Sequence, residues 1–525
     1  MWRRLYLALA VIRLYLALSP SYIHPDEHFQ GPEVVAGNQH RWLNQRFQNS
    51  DIAPGAVYGW PTYKTWEFTS SRPIRSVFPL WLVYGIPLTI LKWLWEGLGY
   101  GEVPPTVAFY TLRVMMFLLS FVLQDWAVHE LIPASRDRRV AITLIASSYV
   151  TWTYQTHTFS NSIETLVVLW CLVLINRIRD DREHVQIGAC TALAFLGVLG
   201  VFNRITFPAF LVVPSIQLVP HILHQPYRIL ILLASGLVFL SYAVLIDTAF
   251  HTQTQWPLHI RDLPDLAIFT PYNNLMYNLD SSNLASHGLH PYYQHFLANL
   301  PQLLGPAILL LPFTSSFNSL LWSGITGIAC LSAFQHQEAR FLLPAVPLLL
   351  ASLRIPKRLA RVWTALWIVF NILAGIVFGI YHQGGVVPMQ TFLASQNDVD
   401  QVFWWKTYSP PRWLLNGRNE DVTTIDLMGL QGEQMLARLK SDAACIGGKD
   451  NSTVLVAPAS ATFLDPHTVP RFASEKPQLA FKELWRYRQH VGLDDLDFGD
   501  DGVWPTLERV VGRRGLVAWE VRRAC

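Results

Sequence analysis

The chain has 525 residues, of which 51% are hydrophobic, 13% aromatic and only 15% charged, with a mean hydropathy of +0.25. A soluble chain carries roughly 25% charged residues, so this composition excludes an ordinary soluble globule. The net charge of +3 builds no basic face, which excludes nucleic acid as a partner.

Charge divides the chain in two. Residues 382–525 hold 34 of the 77 charged residues, leaving 43 for the first 381, too few to cover a water-facing surface of that size. The expected organisation is a membrane-embedded body over 1–381 and a water-facing region over 382–525.

Apolar runs long enough to span a bilayer fall at 5–20, 106–130, 139–156, 162–178, 185–202, 204–222, 228–250, 302–317, 319–335, 340–354 and 361–381, eleven crossings in all. Basic clusters mark the cytosolic side: Arg3 and Arg4; Arg136, Arg138 and Arg139; Arg177, Arg179 and Arg182; His224 and Arg228; Arg354, Lys357, Arg358 and Arg361. The opposite side then receives the large first loop 21–105, the tip 155–161, the loop 251–301, the turn 336–339 and the tail. A further apolar stretch, 77–98, would invert this scheme if it crossed. It reads as a re-entrant or interfacial hairpin broken at Gly85 and Pro87, covered by protein within the first loop. The first run is a retained anchor rather than a signal peptide, because Arg13 interrupts it and Pro20 follows the cleavable Ser19.

The segment Ile23-His24-Pro25-Asp26-Glu27-His28 follows at once, the densest ionisable cluster at any membrane boundary of the chain. Carboxylates are costly there and functional by default. A solvated helix cap is the plain alternative, and His24, Asp26 and His28 are a metal set lacking a visible fourth ligand. Next come Trp66 and Glu67 with Arg72 and Arg75, a pattern that suits a sugar: aromatic faces stack on its CH surfaces and carboxylates bond its hydroxyls. At the tip, Glu164 is a second acid facing the same side as Asp26, while Asn161 and Ser162 also fit a simple helix cap. Arg204 interrupts two apolar runs, and a second sugar-compatible stretch runs from Tyr277 through Asn283 and His287 to His290. The turn His336-Gln337-Glu338-Ala339-Arg340 joins two more runs, and its guanidinium suits a phosphate, which it can grip with paired donors.

In the tail, 453–457 and 516–521 read as strands and 427–439 as a helix, a small mixed α/β unit. Asn451-Ser452-Thr453 is an N-glycosylation sequon, usable only on the luminal side. Cys445 and Cys525 can pair in an oxidising compartment, whereas Cys171, Cys190 and Cys330 lie in apolar runs as small buried hydrophobes. The rival classes are a multipass transporter and a non-catalytic assembly subunit. The first sits poorly with ionisable groups gathered mostly at one face rather than along a mid-membrane path, Arg13, Arg113 and Asp247 being exceptions that suit packed pairs, and the second gives the paired acids after the first run no special need.

His24-Pro25-Asp26-Glu27, Thr65-Trp66-Glu67 followed by Arg75-Ser76, Phe159-Ser160-Asn161-Ser162 with Glu164, and His336-Gln337-Glu338-Ala339-Arg340-Phe341 together resemble the dolichyl-phosphate-mannose-dependent mannosyltransferases of the GT-C class. That family builds N-glycan precursors and glycosylphosphatidylinositol (GPI) anchors. The flanks of the first motif, with Ser282-Asn283-Leu284-Ala285 and His287-Gly288, are most similar to the fungal branch that adds the fourth GPI mannose. The third-mannose branch shares the Pro-Asp-Glu core. The resemblance implies an all-α polytopic GT-C fold with a luminal C-terminal domain and residence in the endoplasmic reticulum membrane. It also implies inverting α1,2 transfer from dolichyl-phosphate-mannose to the GPI precursor, with no metal or nucleotide cofactor. In that scheme Asp26, Glu27 and Glu164 are catalytic, and Arg340, His336 and Arg204 hold the donor phosphate. His24, His28, Trp66, Glu67, Asn161, Asn283 and His287 contact substrate.

Overall fold

The computed structural model describes residues 2–38, 57–181, 183–252, 266–285, 288–314, 318–355, 357–358, 360–415, 417, 421–446, 452–469, 478–496, 498–499 and 502–524. Helix α1 (Trp2–Ala17) leads into two short helices, α2 (Asp26–Phe29) and α3 (Pro32–Ala36). The body continues through α4 (Phe78–Gly97), α5 (Pro105–Leu131), α6 (Ser135–Ala146), α7 (Ser160–Asp180), α8 (Ile187–Asn203), α9 (Phe207–His224) and α10 (Tyr227–Thr252). It closes with α11 (Thr270–Leu279), α12 (His295–Pro312), α13 (Ser319–Leu331), α14 (Ala345–Ser352) and α15 (Ala360–Tyr381). Among the described residues, α4, α5, α7, α9, α10, α12 and α15 are long and apolar enough to cross a membrane. The expected run 139–156 is shorter as a helix: α6 stops at Ala146, and tight turns over Tyr149–Trp152 and Tyr154–Thr156 carry the chain to the tip.

Helix α7 is the central post, apolar on nearly every side and buried along most of its length, as a helix enclosed by other helices must be. Its first turn, with α2, α3 and the start of α5, lies at one end of the body, the site end. Helix α4 corrects the expected hairpin. It runs unbroken through Gly85 and Pro87, because a wide π turn at Trp81–Gly85 absorbs the missing proline N–H and the ring's bulk. Its start is capped by Asp247, whose Oδ1 accepts the Val77 and Phe78 amides at 2.9 and 3.2 Å. Further along, the Tyr58 hydroxyl donates to the Leu88 carbonyl at 3.2 Å and Lys92 donates to Val57 O at 3.1 Å. Helix α5 then begins beside the same loop, with Phe109 stacked on His28 at 6.0 Å and Arg113 donating to Ser21 O at 2.7 Å. Asp247 and Arg113, isolated charges in the sequence, are thus joints between helices and loop.

Gly37 is fixed by close approach. The short strands Gly37–Asn38 and Trp60–Pro61 pair in parallel, and a Cβ at Gly37 would lie 1.6 Å from the Trp60 carbonyl oxygen.

The tail carries strands β1 (Val399–Trp404), β2 (Thr423–Asp426), β3 (Ser452–Pro458), β4 (Leu479–Tyr487) and β5 (Leu516–Arg523), with α16 (Gly432–Asp442) between β2 and β3. Their order is β2-β1-β3-β5-β4; β1 is parallel to both neighbours and β5 antiparallel to both of its own. Val454 and Val456 face one apolar cluster, Leu455 and Ala457 another that includes Met435 and Leu439 of α16. This explains why β3 is buried on both faces. The expected strands and helix are present, the helix starting later, at Gly432. Cys445 is disulfide-bonded, while its expected partner Cys525 lies outside the described residues. Cys171 and Cys190 are buried, but Cys330 is exposed, because its side of α13 faces outward.

Candidate active site

A cavity of about 470 Å³ opens at the site end. Five chain segments far apart in sequence wall it: His24, Asp26 and Gln30; Trp66, Glu67 and Arg75; Arg204 and Thr206; Asn274, Tyr277 and Asn278; and His336, Glu338, Arg340 and Phe341. The two sugar-compatible stretches meet here, with the Trp66 and Tyr277 rings 4.9 Å apart. Glu67 accepts from Arg75 Nε at 2.9 Å and from Gln30 Nε2 at 3.1 Å, which sets its carboxylate on the wall.

Asp26 opens α2, so its carboxylate projects from the first turn into the cavity. It pairs with Arg340 Nη1, and its own amide donates to His24 Nδ1 at 3.2 Å. Arg340 Nε pairs with Glu338, which also meets His336 Nε2 at 3.1 Å. Burial pushes the Asp26 carboxyl up, but Arg340 and His24 outweigh it and hold it well below the usual carboxylate range. Glu338 is likewise held low against burial by Arg340 and His336. Both acids stay ionised at neutral pH. The Arg204 and Arg340 guanidinium carbons lie 4.9 and 5.4 Å from the Phe341 ring centre, so two cations converge on one aromatic floor.

Several expected site residues stand behind the wall rather than on it. Glu27 turns away from the cavity and is buried. Its oxygens take the Ile23 amide at 3.2 Å, pair with His157, and lie 3.8 Å from Arg113 and 3.9 Å from His28. The reason is helical geometry: neighbours in a helix point about 100° apart. Burial raises the Glu27 pKa against the opposing pull of Arg113 and His28. His28 is enclosed by Phe109, Tyr22 and Trp413, and so cannot share a metal with His24 and Asp26. Among the described residues no three His, Cys, Asp or Glu side chains form a metal site.

Glu164 is also buried, accepting from Thr206 at 2.8 Å and facing Arg204 Nε at 3.3 Å. It aims Arg204 at the cavity instead of entering it. Asn161 serves the same cation, accepting from Arg204 Nη1 at 3.4 Å, and is not a helix cap. Asn283 donates to the Tyr277 carbonyl at 3.3 Å, outside the cavity wall. His287 and Asn451 lie outside the described residues.

The residues that the sequence leaves without a role are Glu33, His157, Glu338 and Trp413. Glu338 had a signal, its place between His336 and Arg340; Trp413 had none. Its backbone amide donates to Glu33 at 3.3 Å and its indole N–H to His28 Nδ1 at 3.3 Å, tying the tail to the loop that carries Asp26.

The chain is 49% identical to GPI mannosyltransferase 4 of Aspergillus oryzae, covering 100% of this chain and 99% of that one. It is 47% identical to the Emericella nidulans protein of the same name, over 100% and 98% of the two chains. The Saccharomyces cerevisiae GPI mannosyltransferase 4 is 36% identical over 80% of this chain and 78% of its own. Among solved structures, ArnT from Cupriavidus metallidurans bound to undecaprenyl phosphate matches with a TM-score of 0.51 at 12% identity, covering 98% of each chain. That likeness shows the GT-C fold. The Alg9-like mannosyltransferase family matches residues 4–415, and the chain belongs to that family of membrane glycosyltransferases.

Proposed function

We propose that the chain transfers mannose from dolichyl-phosphate-mannose to the 2-hydroxyl of the third mannose of a GPI precursor, with inversion, on the luminal face of the endoplasmic reticulum. The observation that carries this reading is the placement of Asp26: of two adjacent acids, it alone faces a cavity that also presents guanidinium groups and sugar-stacking aromatics. The names of the full-length relatives support the GPI precursor as acceptor.

In the reaction the acceptor oxygen attacks the anomeric carbon, its proton passes to Asp26, and the bond from that carbon to the phosphate oxygen breaks. Dolichyl phosphate leaves with the electron pair. Arg340, with Arg204 and His336, balances the charge on the departing phosphate. The donor's lipid chain fits the apolar side of the cavity, formed by Ile205, Ala209, Leu275, Cys330, Leu331 and Phe334. Cys330 and Phe334 are exposed and form its lipid-facing lip. The donor brings its phosphate already attached to lipid, so the scheme needs no nucleotide or metal.

A positioned base contributes about 10²- to 10⁴-fold. Asp26→Asn in microsomes is expected to lose transfer by that factor at unchanged protein level. Near-normal transfer would remove Asp26 from the role.

A further inference from the structure

Arg340 is divided between two carboxylates. Its Nη1 holds Asp26 and its Nε holds Glu338, and all three line the cavity. Elsewhere in the site each guanidinium meets one acid, Arg75 with Glu67 and Arg204 with Glu164. At Arg340 two negative charges share one positive one, with His24 3.5 Å from Asp26 and 3.9 Å from Glu338.

The two acids are held unequally. Glu338 lies two residues from Arg340 on the same turn and has His336 as a second anchor at 3.1 Å. Asp26 comes from a different element, 314 residues away in sequence, and among the described residues its ion-pair partners besides Arg340 are limited to His24, with Arg75 acting from further off. An anion arriving at Arg340 therefore displaces Asp26 more readily than Glu338. A carboxylate that loses its guanidinium gains proton affinity, which is what a base needs.

We propose that Glu338 is a positioning residue that holds Arg340 so that the donor's phosphate takes the guanidinium from Asp26, releasing Asp26 as a base only when donor is bound. This rests on the reading of Asp26 as base. Before donor binds, Asp26 is capped and a poor proton acceptor; afterwards Arg340 serves the phosphate and Asp26 faces the acceptor hydroxyl. Among the described residues, the other charged or titratable groups facing this cluster are Tyr22, His24, Arg75, Tyr154, Arg204, His336 and Tyr408.

The test is steady-state transfer by the full-length enzyme across pH, with dolichyl-phosphate-mannose below and above saturation. In the wild type, the acid limb of kcat is expected at higher pH than the acid limb of kcat/KM for donor. In Glu338→Gln, the Nε side of Arg340 is free, so phosphate binds there against less repulsion while Asp26 keeps Nη1 and stays capped. Its kcat is expected to fall about tenfold while donor KM falls rather than rises, and the acid limb of kcat moves to lower pH. Glu338→Asp, which keeps the charge, is expected to restore the acid limb. General structural damage lowers kcat without tightening donor binding. Coincident acid limbs in the wild type, or a raised donor KM with unchanged kcat in Glu338→Gln, overturn the proposal. An active Asp26→Asn enzyme overturns the reading of the base itself, whereas an inactive one beside a wild-type-like Glu338→Gln overturns only the coupling.

Discussion

Asp26 and Glu27 are adjacent and chemically alike, yet the fold gives them opposite surroundings. Asp26 looks into the cavity, while Glu27 joins α2 to His157 at the tip and to Arg113 on α5. Removing the charge from Glu27 leaves the buried Arg113 without its nearest carboxylate. Breaking a buried pair in this way costs about 3–5 kcal/mol. Glu27→Gln is therefore expected to lower the thermal midpoint and the amount of folded protein, with activity lost in proportion. Asp26→Asn is expected to leave the midpoint within a few degrees of wild type; equal midpoints for the two variants would count against this division of labour. The sequence shows that both acids are unusual at a membrane boundary, but not which faces substrate, because that depends on where α2 rests on α5. Glu164 gives the same lesson. Its type and side are legible in sequence, but its position behind Arg204 follows from the packing of α7 on the chain after α8.

At the scale of elements, the docking of the tail is the feature least legible in sequence. Strands β3 and β5 and helix α16 announce themselves by local patterning. The contacts of Trp413 with His28 and Glu33, and of the Tyr22 hydroxyl with Ser409 O at 2.9 Å, join residues 380 or more positions apart and leave no periodic trace. Trp413 is fully buried beside Trp60 and His28, and Trp413→Ala is expected to cost about 3–5 kcal/mol. The check is limited proteolysis in detergent, where the variant's tail should be released faster than wild type; equal rates contradict a docking role. Burial pushes the Glu33 carboxyl up to about 7, even though the Tyr63 and Trp413 amides donate to it. A carboxyl raised on folding stabilises fully below its unfolded value, about 4.5, and loses that contribution as pH rises through about 7. The thermal midpoint should therefore fall between pH 5 and pH 8 by more in wild type than in Glu33→Gln, and parallel profiles would contradict this. Helix α4 differs from its sequence pattern for a related reason. Gly85 and Pro87 look like a break in one dimension, but a π turn and the Asp247 cap keep the helix whole.

For the whole molecule, the scarce charges of the body make sense once the bundle is assembled. Arg113 and Asp247 brace the first loop, whereas Asp26, Glu67, Arg75, Arg204, Glu338 and Arg340 gather at one end around one cavity. The GT-C class was legible through the resemblance of separated motifs to a known family, and the outline of this site because those motifs carry the scarce acids and guanidinium groups that line the cavity. The catalytic reading of Asp26 for mannosyl transfer is tested most directly with purified full-length enzyme, dolichyl-phosphate-mannose and a three-mannose GPI glycolipid, reading product mass and linkage. The account predicts one added hexose in α1,2 linkage on the third mannose for wild type, and at least a hundredfold less for Asp26→Asn. A wild-type product linked elsewhere, or equal product from Asp26→Asn, would contradict it.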